Sequence, residues 1–150
     1  MRLEIINNSN LEKTKNILRK KDRKNKIAIK AQDYPYNKKI LAYGKFDVFL
    51  DSHLKKTKNS LKKIDSNFNS YLSKLAKKNN ISVGIDLKEI KNLKKRDKAE
   101  ALTKIIQNIR FCRKNKVNIS LIEVQDYLNA KAFLSSLGCS SQQIKQALTF

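Results

Sequence analysis

Short apolar runs and longer amphipathic stretches alternate along the 150 residues. The apolar runs are rich in Ile, Val, Leu and Phe, a composition typical of buried strands. They cover residues 3–6, 27–31, 46–50, 81–87 and 117–122. Because a stretch with helical character follows each run, the pattern predicts five strands, each followed by a helix.

The helical stretches carry recognisable start and stop signals. Residues 67–79 repeat apolar side chains at spacings of three and four, which predicts an amphipathic helix. Its apolar face consists of Phe68, Tyr71, Leu72, Leu75 and Ala76. Further helices are predicted from an Asn10 cap to about residue 23, and over residues 36–44, 97–115, 125–137 and 140–148. Gly44 and Gly138 are placed to end helices, because glycine accepts the left-handed conformation found there.

Strands that alternate with helices pair in parallel through right-handed crossovers, which predicts an α/β fold. Two architectures remain open, a doubly wound parallel sheet and an incomplete barrel of the TIM (β/α) type. Periodicity alone favours the doubly wound sheet, since an eight-stranded barrel usually needs about 250 residues. The length fits one domain over residues 1–150.

The chain is strongly basic. It has 34 Lys and Arg residues against 13 Asp and Glu residues, and therefore a formal net charge of +21. Hydrophobic residues make up 40% of the chain, enough for a folded core. No apolar run approaches the roughly 20 residues of a membrane span, and no signal peptide begins the sequence, so we expect a cytoplasmic protein. Such a charge favours a polyanionic partner, nucleic acid first of all.

Three clusters of basic residues are the predicted RNA-binding positions. The first lies on the long connection over residues 51–67, the second precedes the helix over 97–115, and the third lies near the end of that helix. The clusters are Lys55, Lys56, Lys58, Lys62 and Lys63; Lys94, Lys95, Arg96 and Lys98; and Arg110, Arg113 and Lys114. In a parallel sheet the first connection follows the carboxyl end of a strand, where ligands usually bind.

Signatures of protein catalysis are weak in this sequence. The three glycines form no nucleotide-binding loop, and the two cysteines, Cys112 and Cys139, have no metal-site spacing. Acidic residues do gather at predicted strand ends: Asp33, Asp51, Asp86 and Glu123, with His53 nearby. They could bind a metal as in barrel phosphoesterases, or cap helices and pair with lysines. With a single His, we favour caps and ion pairs, and we predict no catalytic residue, metal ligand or cofactor in the protein.

Two long segments resemble the archaeal ribonuclease P protein component 3 family, related to the eukaryotic thirty-kilodalton subunit. They are SYLSKLAKKNNISVGIDLKEI, residues 70–90, and KKRDKAEALTKIIQNIRFCRKNKV, residues 94–117. The ending FLSSLGCSSQQIKQAL, residues 133–148, is similar to the closing helices of that family, and FDVFLDSH, residues 46–53, is a weaker match. Together they cover about two thirds of the chain.

The resemblance implies a TIM-like (β/α) barrel, here shortened to about five or six units. It also implies a non-catalytic protein subunit of ribonuclease P, whose RNA uses Mg²⁺ to mature the 5′ end of precursor tRNA. The implied partners are ribonuclease P RNA, precursor tRNA and a small ferredoxin-like protein subunit. Arg96 and Lys98 fall where the family tends to carry basic residues. The alternatives are a metal-dependent phosphoesterase and a general RNA-binding or ribosome-associated protein.

The chain departs from the family pattern in three ways. It is shorter by about two strands at its start, Asn69 and Ser70 replace a usual Asp-His pair, and residues 121–130 lead directly into a helix where the family has a basic loop. A shortened barrel leaves two open strand edges. We therefore expect a partner to cover them: the ferredoxin-like subunit or a second copy. The terminal helix over residues 140–150 is the alternative cover.

Overall fold

The computed structural model describes residues 2–22, 24–54 and 65–149. Its centre is a parallel sheet of five strands that lie side by side in the order in which they occur in the chain. The strands are β1 (Leu3–Ile6), β2 (Lys26–Lys30), β3 (Val48–Leu50), β4 (Ser82–Asp86) and β5 (Ile119–Ile122). All five predicted strands are present, and their ends differ from the prediction by at most two residues.

Seven α-helices connect or follow the strands in the described part of the chain. They are α1 (Leu11–Lys20), α2 (Tyr34–Tyr43), α3 (Ser70–Lys78), α4 (Leu87–Lys91), α5 (Lys95–Asn115), α6 (Tyr127–Ser136) and α7 (Ser141–Leu148). A short 3₁₀ turn, Ser52–Leu54, follows β3. The pattern missed α4, because the apolar run was extended to Leu87, whereas Asp86 ends the strand and caps a helix through the Lys88 N–H. None of the described helices is long and apolar enough to cross a membrane.

The strand order decides between the two architectures. A doubly wound sheet places its first strand in the interior and reverses direction around it. Here β1 is an edge strand, and each later strand pairs with its predecessor. The fold is therefore an incomplete TIM-like barrel of five units, and the alternative of a doubly wound sheet is wrong.

The two faces of the sheet have different cores. Right-handed crossovers between successive strands put the helices on one face. There Ile29, Phe49 and Ile85 join helix residues such as Leu72 and Ile105 in the main core. The opposite face, the inner face of the partial barrel, carries a smaller core made only of strand residues. These are Leu3, Ala28, Val48, Leu50 and Ile122.

Close packing on the inner face depends on Gly84. A Cβ atom at this position would lie 2.5 Å from Cγ1 of Val48 and 2.9 Å from Cδ1 of Leu50. Both neighbours are completely buried. The absent side chain at Gly84 lets the inner-face side chains of β3 fill the concavity, as side chains do inside a complete barrel.

The sheet curves but does not close. Leu3 on β1 packs against the inner core that contains Ile122 of β5, yet the two strands do not pair in the described structure. A groove of about 430 Å³ separates them, and Ala147 and Leu148 of α7 help to line it. The expected open edges are thus present, and the chain's own terminal helix contributes to their cover.

Candidate nucleic-acid interface

The topology separates charge between the two edges of the sheet. The helices that follow strands begin at the carboxyl edge, where the strands end, and finish at the amino edge, where the next strands start. Acidic residues cap four of the helices or lie in their first turns, and basic residues lie in the last turns of α1, α3, α4, α5 and α7, as the helix dipole favours. Asp33, Asp86, Asp126 and Glu12 follow this rule at the carboxyl edge.

The start of α5 breaks this rule. Lys94 occupies the N-cap position and makes no side-chain capping bond. Lys95, Arg96 and Lys98 follow at once, with Asp97 as the acidic residue of the first turn. Cations at a helix N-terminus are unfavourable by about 0.3–1 kcal/mol each. We call Lys94, Lys95, Arg96 and Lys98 the α5 basic turn; the helix dipole does not favour positive charges at this position.

The α5 basic turn is accessible. Lys94, Lys95 and Arg96 are exposed and Lys98 is half-buried. The Nζ atom of Lys98 donates to the backbone oxygen of Lys91 at 3.5 Å, which links the turn to the end of α4. The turn therefore presents its positive charge to solvent beside the carboxyl edge of the sheet.

The third predicted cluster lies elsewhere. Helix α5 has 21 residues, so its ends are about 30 Å apart at 1.5 Å per residue. Arg110, Arg113 and Lys114 lie towards its far end, next to the amino edge. The two clusters on α5 therefore cannot contact the same phosphate group.

Arg113 has a structural role at the α6–α7 turn. Its guanidinium donates through Nε to Oε1 of Gln143 at 3.2 Å and through a terminal nitrogen to the backbone oxygen of Gly138. Gln143 completes a capping box with Ser140 at the start of α7. Arg113 thus fastens the α6–α7 turn to α5, while Arg110 and Lys114 remain exposed cations.

The amino edge carries more positive charge than the sequence reading assigned to it. Exposed cations reach it from the ends of α1, α3 and α5 and from the turns that precede the strands: Lys20, Lys24, Lys45, Lys77, Lys78, Lys114 and Lys116. Described acids near them are Glu4, which pairs with Lys21, Asp22, which pairs with Lys24 at 3.7 Å, and Asp47, whose carboxylate accepts from the Ile27 N–H at 2.8 Å. The signal was present as Lys in the last turns of α1, α3 and α5, but only the strand order shows that these turns share one edge.

A buried polar network lies under the carboxyl edge. The amide of Asn108 on α5 donates through Nδ2 to Oγ of Ser52 at 2.9 Å, and its Oδ1 accepts from Oγ of Ser66 at 2.6 Å. All three residues are buried. Asn108 thereby anchors the chain on both sides of residues 55–64 to the same helix.

Asp51 and His53 are buried beside this network. Oδ1 of Asp51 accepts from the Asp86 N–H at 3.0 Å, and Oδ2 lies 3.9 Å from Nζ of Lys30. Burial raises the pKa of Asp51 to about 7, with a smaller contribution from the Asp86 carboxylate. Burial, and then the charge of Lys104, lower the pKa of His53 to about 3, so that its ring is neutral.

The acids at the strand ends serve mainly as caps and ion-pair partners. Asp33 accepts from the Tyr36 N–H at 2.9 Å and Asp86 from the Lys88 N–H at 2.9 Å, each at a helix start. Lys30 bonds Glu89 at 3.0 Å as well as facing Asp51. In the described ranges, no group of three or more His, Cys, Asp and Glu side chains is arranged to bind a metal ion. The phosphoesterase alternative thus finds no ligand set among these residues.

The first predicted cluster, Lys55, Lys56, Lys58, Lys62 and Lys63, lies outside the described residues. Its assignment to RNA binding stays a prediction, as do the assignments of the other two clusters.

Comparison with known proteins adds a likeness of fold. No family model matches the chain, and no curated protein matches it in sequence. Among solved structures, it is similar to a chain of the "cryo-EM structure of archaeal Ribonuclease P with mature tRNA", with a TM-score of 0.77 and 16% sequence identity. The match covers 98% of this chain and 64% of that chain. At this identity the likeness shows a shared fold, and it extends over nearly the whole partial barrel.

Proposed function

We propose that the protein is a subunit of ribonuclease P that binds and supports the catalytic RNA during 5′ maturation of precursor tRNA. The observation that carries the proposal is the match of almost the whole fold to a chain of an archaeal ribonuclease P structure. The sequence resemblance over residues 70–90 and 94–117 supports the same assignment independently of the fold.

The charge of the chain fits this role. A net charge of +21 favours RNA, because binding releases the counterions condensed on phosphates. The α5 basic turn supplies exposed Lys and Arg side chains at a position where the helix dipole opposes them. Lysines act as point charges towards phosphates, whereas Arg96 can also form paired contacts to one phosphate.

Chemistry is assigned to the RNA rather than to this chain. The Mg²⁺ ions of the reaction would be associated with the RNA, and Asp51 and His53 are buried behind the surface that RNA would touch. The proposed partners are ribonuclease P RNA, precursor tRNA and a small ferredoxin-like subunit, in the cytoplasm. Self-association through the open edges of the sheet is also part of this proposal.

Binding measurements with a charge-reversal variant test the proposal. The variant changes the α5 basic turn: Lys94→Glu, Lys95→Glu, Arg96→Glu and Lys98→Glu. A control of equal charge uses exposed lysines on α1, α2, α3 and α6 that lie in neither basic surface: Lys13→Glu, Lys39→Glu, Lys74→Glu and Lys131→Glu. We expect the first variant to lose at least about tenfold more affinity for ribonuclease P RNA than the control, with a shallower salt dependence.

A second measurement separates ribonuclease P from general RNA binding. Native complexes captured through this chain should contain ribonuclease P RNA and precursor tRNA. Recovery of ribosomal RNA instead, or equal affinity for unrelated structured RNAs, would identify a general RNA-binding protein. Mn²⁺-dependent phosphoester hydrolysis by the purified chain that Asp51→Asn abolished would support the phosphoesterase alternative.

A further inference from the structure

A small polar pocket lies at the amino edge of the sheet. It is formed where the α3–β4 turn meets the α5–β5 turn, and its volume is about 50 Å³. Its polar lining consists of Lys77, Asn80, Ser82, Lys116 and Asn118. About 10–15 Å³ admits one water, so the pocket has room for a group of several heavy atoms.

The pocket is equipped for an anion. Lys77 and Lys116 supply positive charge, and Asn80 and Asn118 supply amide donors. None of these four side chains makes a hydrogen bond or ion pair with another described residue. Asp47, the nearest acid along the neighbouring strand, already accepts from the Ile27 N–H. The donors around the pocket are therefore free to bind a ligand.

Backbone conformation supports a functional role for Lys116. Both turns contain a residue in the left-handed region, Asn80 with φ 54° and Lys116 with φ 56°. Asn tolerates this conformation, but for Lys it costs about 1–2 kcal/mol, and glycine is the usual residue after a helix. At Lys116 a strained backbone therefore holds a cationic side chain beside the pocket.

The pocket also lies among the exposed cations of the amino edge. Lys78 and Lys114 end the same two helices, and Lys45 and Lys24 precede neighbouring strands. The α5 basic turn is about 30 Å away at the other end of α5. Phosphates bound at the two ends would therefore belong to separate parts of an RNA.

We propose that the Lys77–Lys116 pocket binds a backbone phosphate of RNA, which makes the amino edge a second RNA-binding surface. The protein then links two RNA segments about 30 Å apart, one at each end of α5. This inference rests on the RNA binding proposed above, but not on the identity of the RNA as ribonuclease P RNA.

The test compares two double variants that remove the same charge from the same two helix ends. Lys77→Ala with Lys116→Gly removes both cations that line the pocket. Glycine at position 116 relieves the backbone strain, so the variant should fold. Lys78→Ala with Lys114→Ala removes exposed neighbours that do not line it. Both pairs are made in the α5 basic turn variant, so that a short labelled RNA duplex binds at the amino edge. We then expect at least about a tenfold loss of affinity for the first pair and a loss several-fold smaller for the second. The salt slope should fall by about one in the first. Equal losses of affinity in the two variants would show that the pocket does not bind a phosphate.

A bridging assay tests the second surface. Duplex RNA on beads captures the protein, and a labelled second duplex is then added. Wild type should retain the label, whereas the pocket variant and the α5 basic turn variant should each bind the beads without retaining it. Wild type that binds the beads but retains no label would overturn the inference. If bridging is observed but ribonuclease P RNA is not preferred over other RNAs, the inference stands and the proposed function fails.

Discussion

Nε2 of His53 lies 3.7 Å from Oδ1 of Asp51, and the two residues are each only 3% exposed. Burial moves their pKa values in opposite senses, to about 7 for Asp51 and about 3 for His53. Both shifts oppose the charged forms, as expected where desolvation dominates.

The two groups should therefore give opposite pH dependences of stability. Asp51 has a raised pKa in the folded state, so its stabilising contribution is present below about pH 4 and is lost as the pH rises towards 7. His53 has a lowered pKa, so its contribution is present above about pH 6.5 and is lost as the pH falls towards 3. Between about pH 4 and 6.5 the two slopes, each at most about 1.4 kcal/mol per pH unit, oppose each other.

Single variants separate the two slopes. In Asp51→Asn, the free energy of unfolding should rise with pH between about 4 and 6.5, because His53 alone titrates there. In His53→Gln it should fall over the same range. Urea unfolding at several pH values measures both. Parallel pH profiles in wild type and Asp51→Asn would contradict the assignment.

Substitution of Lys94 should change protein stability and RNA affinity in opposite directions. Lys94→Asp places a capping carboxylate at the N-terminus of α5 and removes an unfavourable cation, so the free energy of unfolding should rise by about 1 kcal/mol. The same change should weaken RNA binding, since it reverses a charge in the α5 basic turn. Denaturant unfolding and RNA titration of one sample measure both effects. A variant that gained stability and kept its RNA affinity would show that Lys94 does not contact RNA.

Arg113 should behave as a structural residue. Arg113→Ala should lower the free energy of unfolding by about 1 kcal/mol, because Gln143 and the exposed Gly138 oxygen lose a charged donor while Gln143 keeps its bond from the Ser140 N–H. Arg113→Lys should restore little, since a single ammonium cannot replace the two directed bonds. Arg110→Ala, at an exposed position one turn earlier, is the control and should change stability by less than about 0.5 kcal/mol. Similar stabilities for the Arg113 and Arg110 variants would exclude the proposed anchor.

The sequence predicted the individual strands and helices well, and the order of the strands in the sheet less well. Alternating apolar runs located all five strands, and the stripe that includes Leu72 and Ala76 located α3, because burial of one face leaves a periodic trace. Periodicity together with chain length favoured the doubly wound order, which is wrong, and only the family resemblance favoured the partial barrel. The choice became clear only from pairings such as Val48 with Ser82, which join residues distant in sequence.

The candidate site shows the same limit. The charge runs near Lys94 and Arg110 were visible as separate clusters, but the sequence did not show which edge of the sheet each one occupies. The Lys77–Lys116 pocket joins turns 39 positions apart, and neither turn is distinctive alone. Likewise, nothing adjacent to Arg113 in the sequence indicates its bond to the Gly138 oxygen.

Substitutions at Gly84 and Gly138 should lower the stability of the protein for different reasons. Gly84→Ala meets Val48 at 2.5 Å, so overpacking should lower the free energy of unfolding by about 1–3 kcal/mol. Gly138 has open space around its Cβ position but a φ of 86°, so Gly138→Ala should cost about 1 kcal/mol through backbone strain. Asn should be tolerated better than Ala at Gly138, and worse than Ala at Gly84. Thermal or urea unfolding of the four variants measures their stabilities. If Ala and Asn ranked in the same order at both positions, the two glycines would not have the different roles assigned to them.

The groove between β1 and β5 leads to the last prediction. Ala147 of α7 is 1% exposed, belongs to the main core, and lines the groove together with Leu3 and Ile122. A carboxylate there would be desolvated among apolar residues of the main core, and Lys26 at the groove would have to leave its present contacts to pair with it, so Ala147→Asp should detach the end of α7 from the groove. The unpaired edges of β1 and β5 would then be available for pairing with another chain. We expect light scattering at moderate salt to show association of this variant.

Gln142→Asp on the same helix is the matched control, because the Gln142 side chain is exposed and the substitution adds the same charge. The control should scatter light like wild type. The same measurement tests the expectation that a partner covers the open edges: a ferredoxin-like subunit that suppresses association of Ala147→Asp would bind across this groove. If Ala147→Asp stays monomeric and unfolds cooperatively like wild type, α7 is not what protects the open edges of the partial barrel.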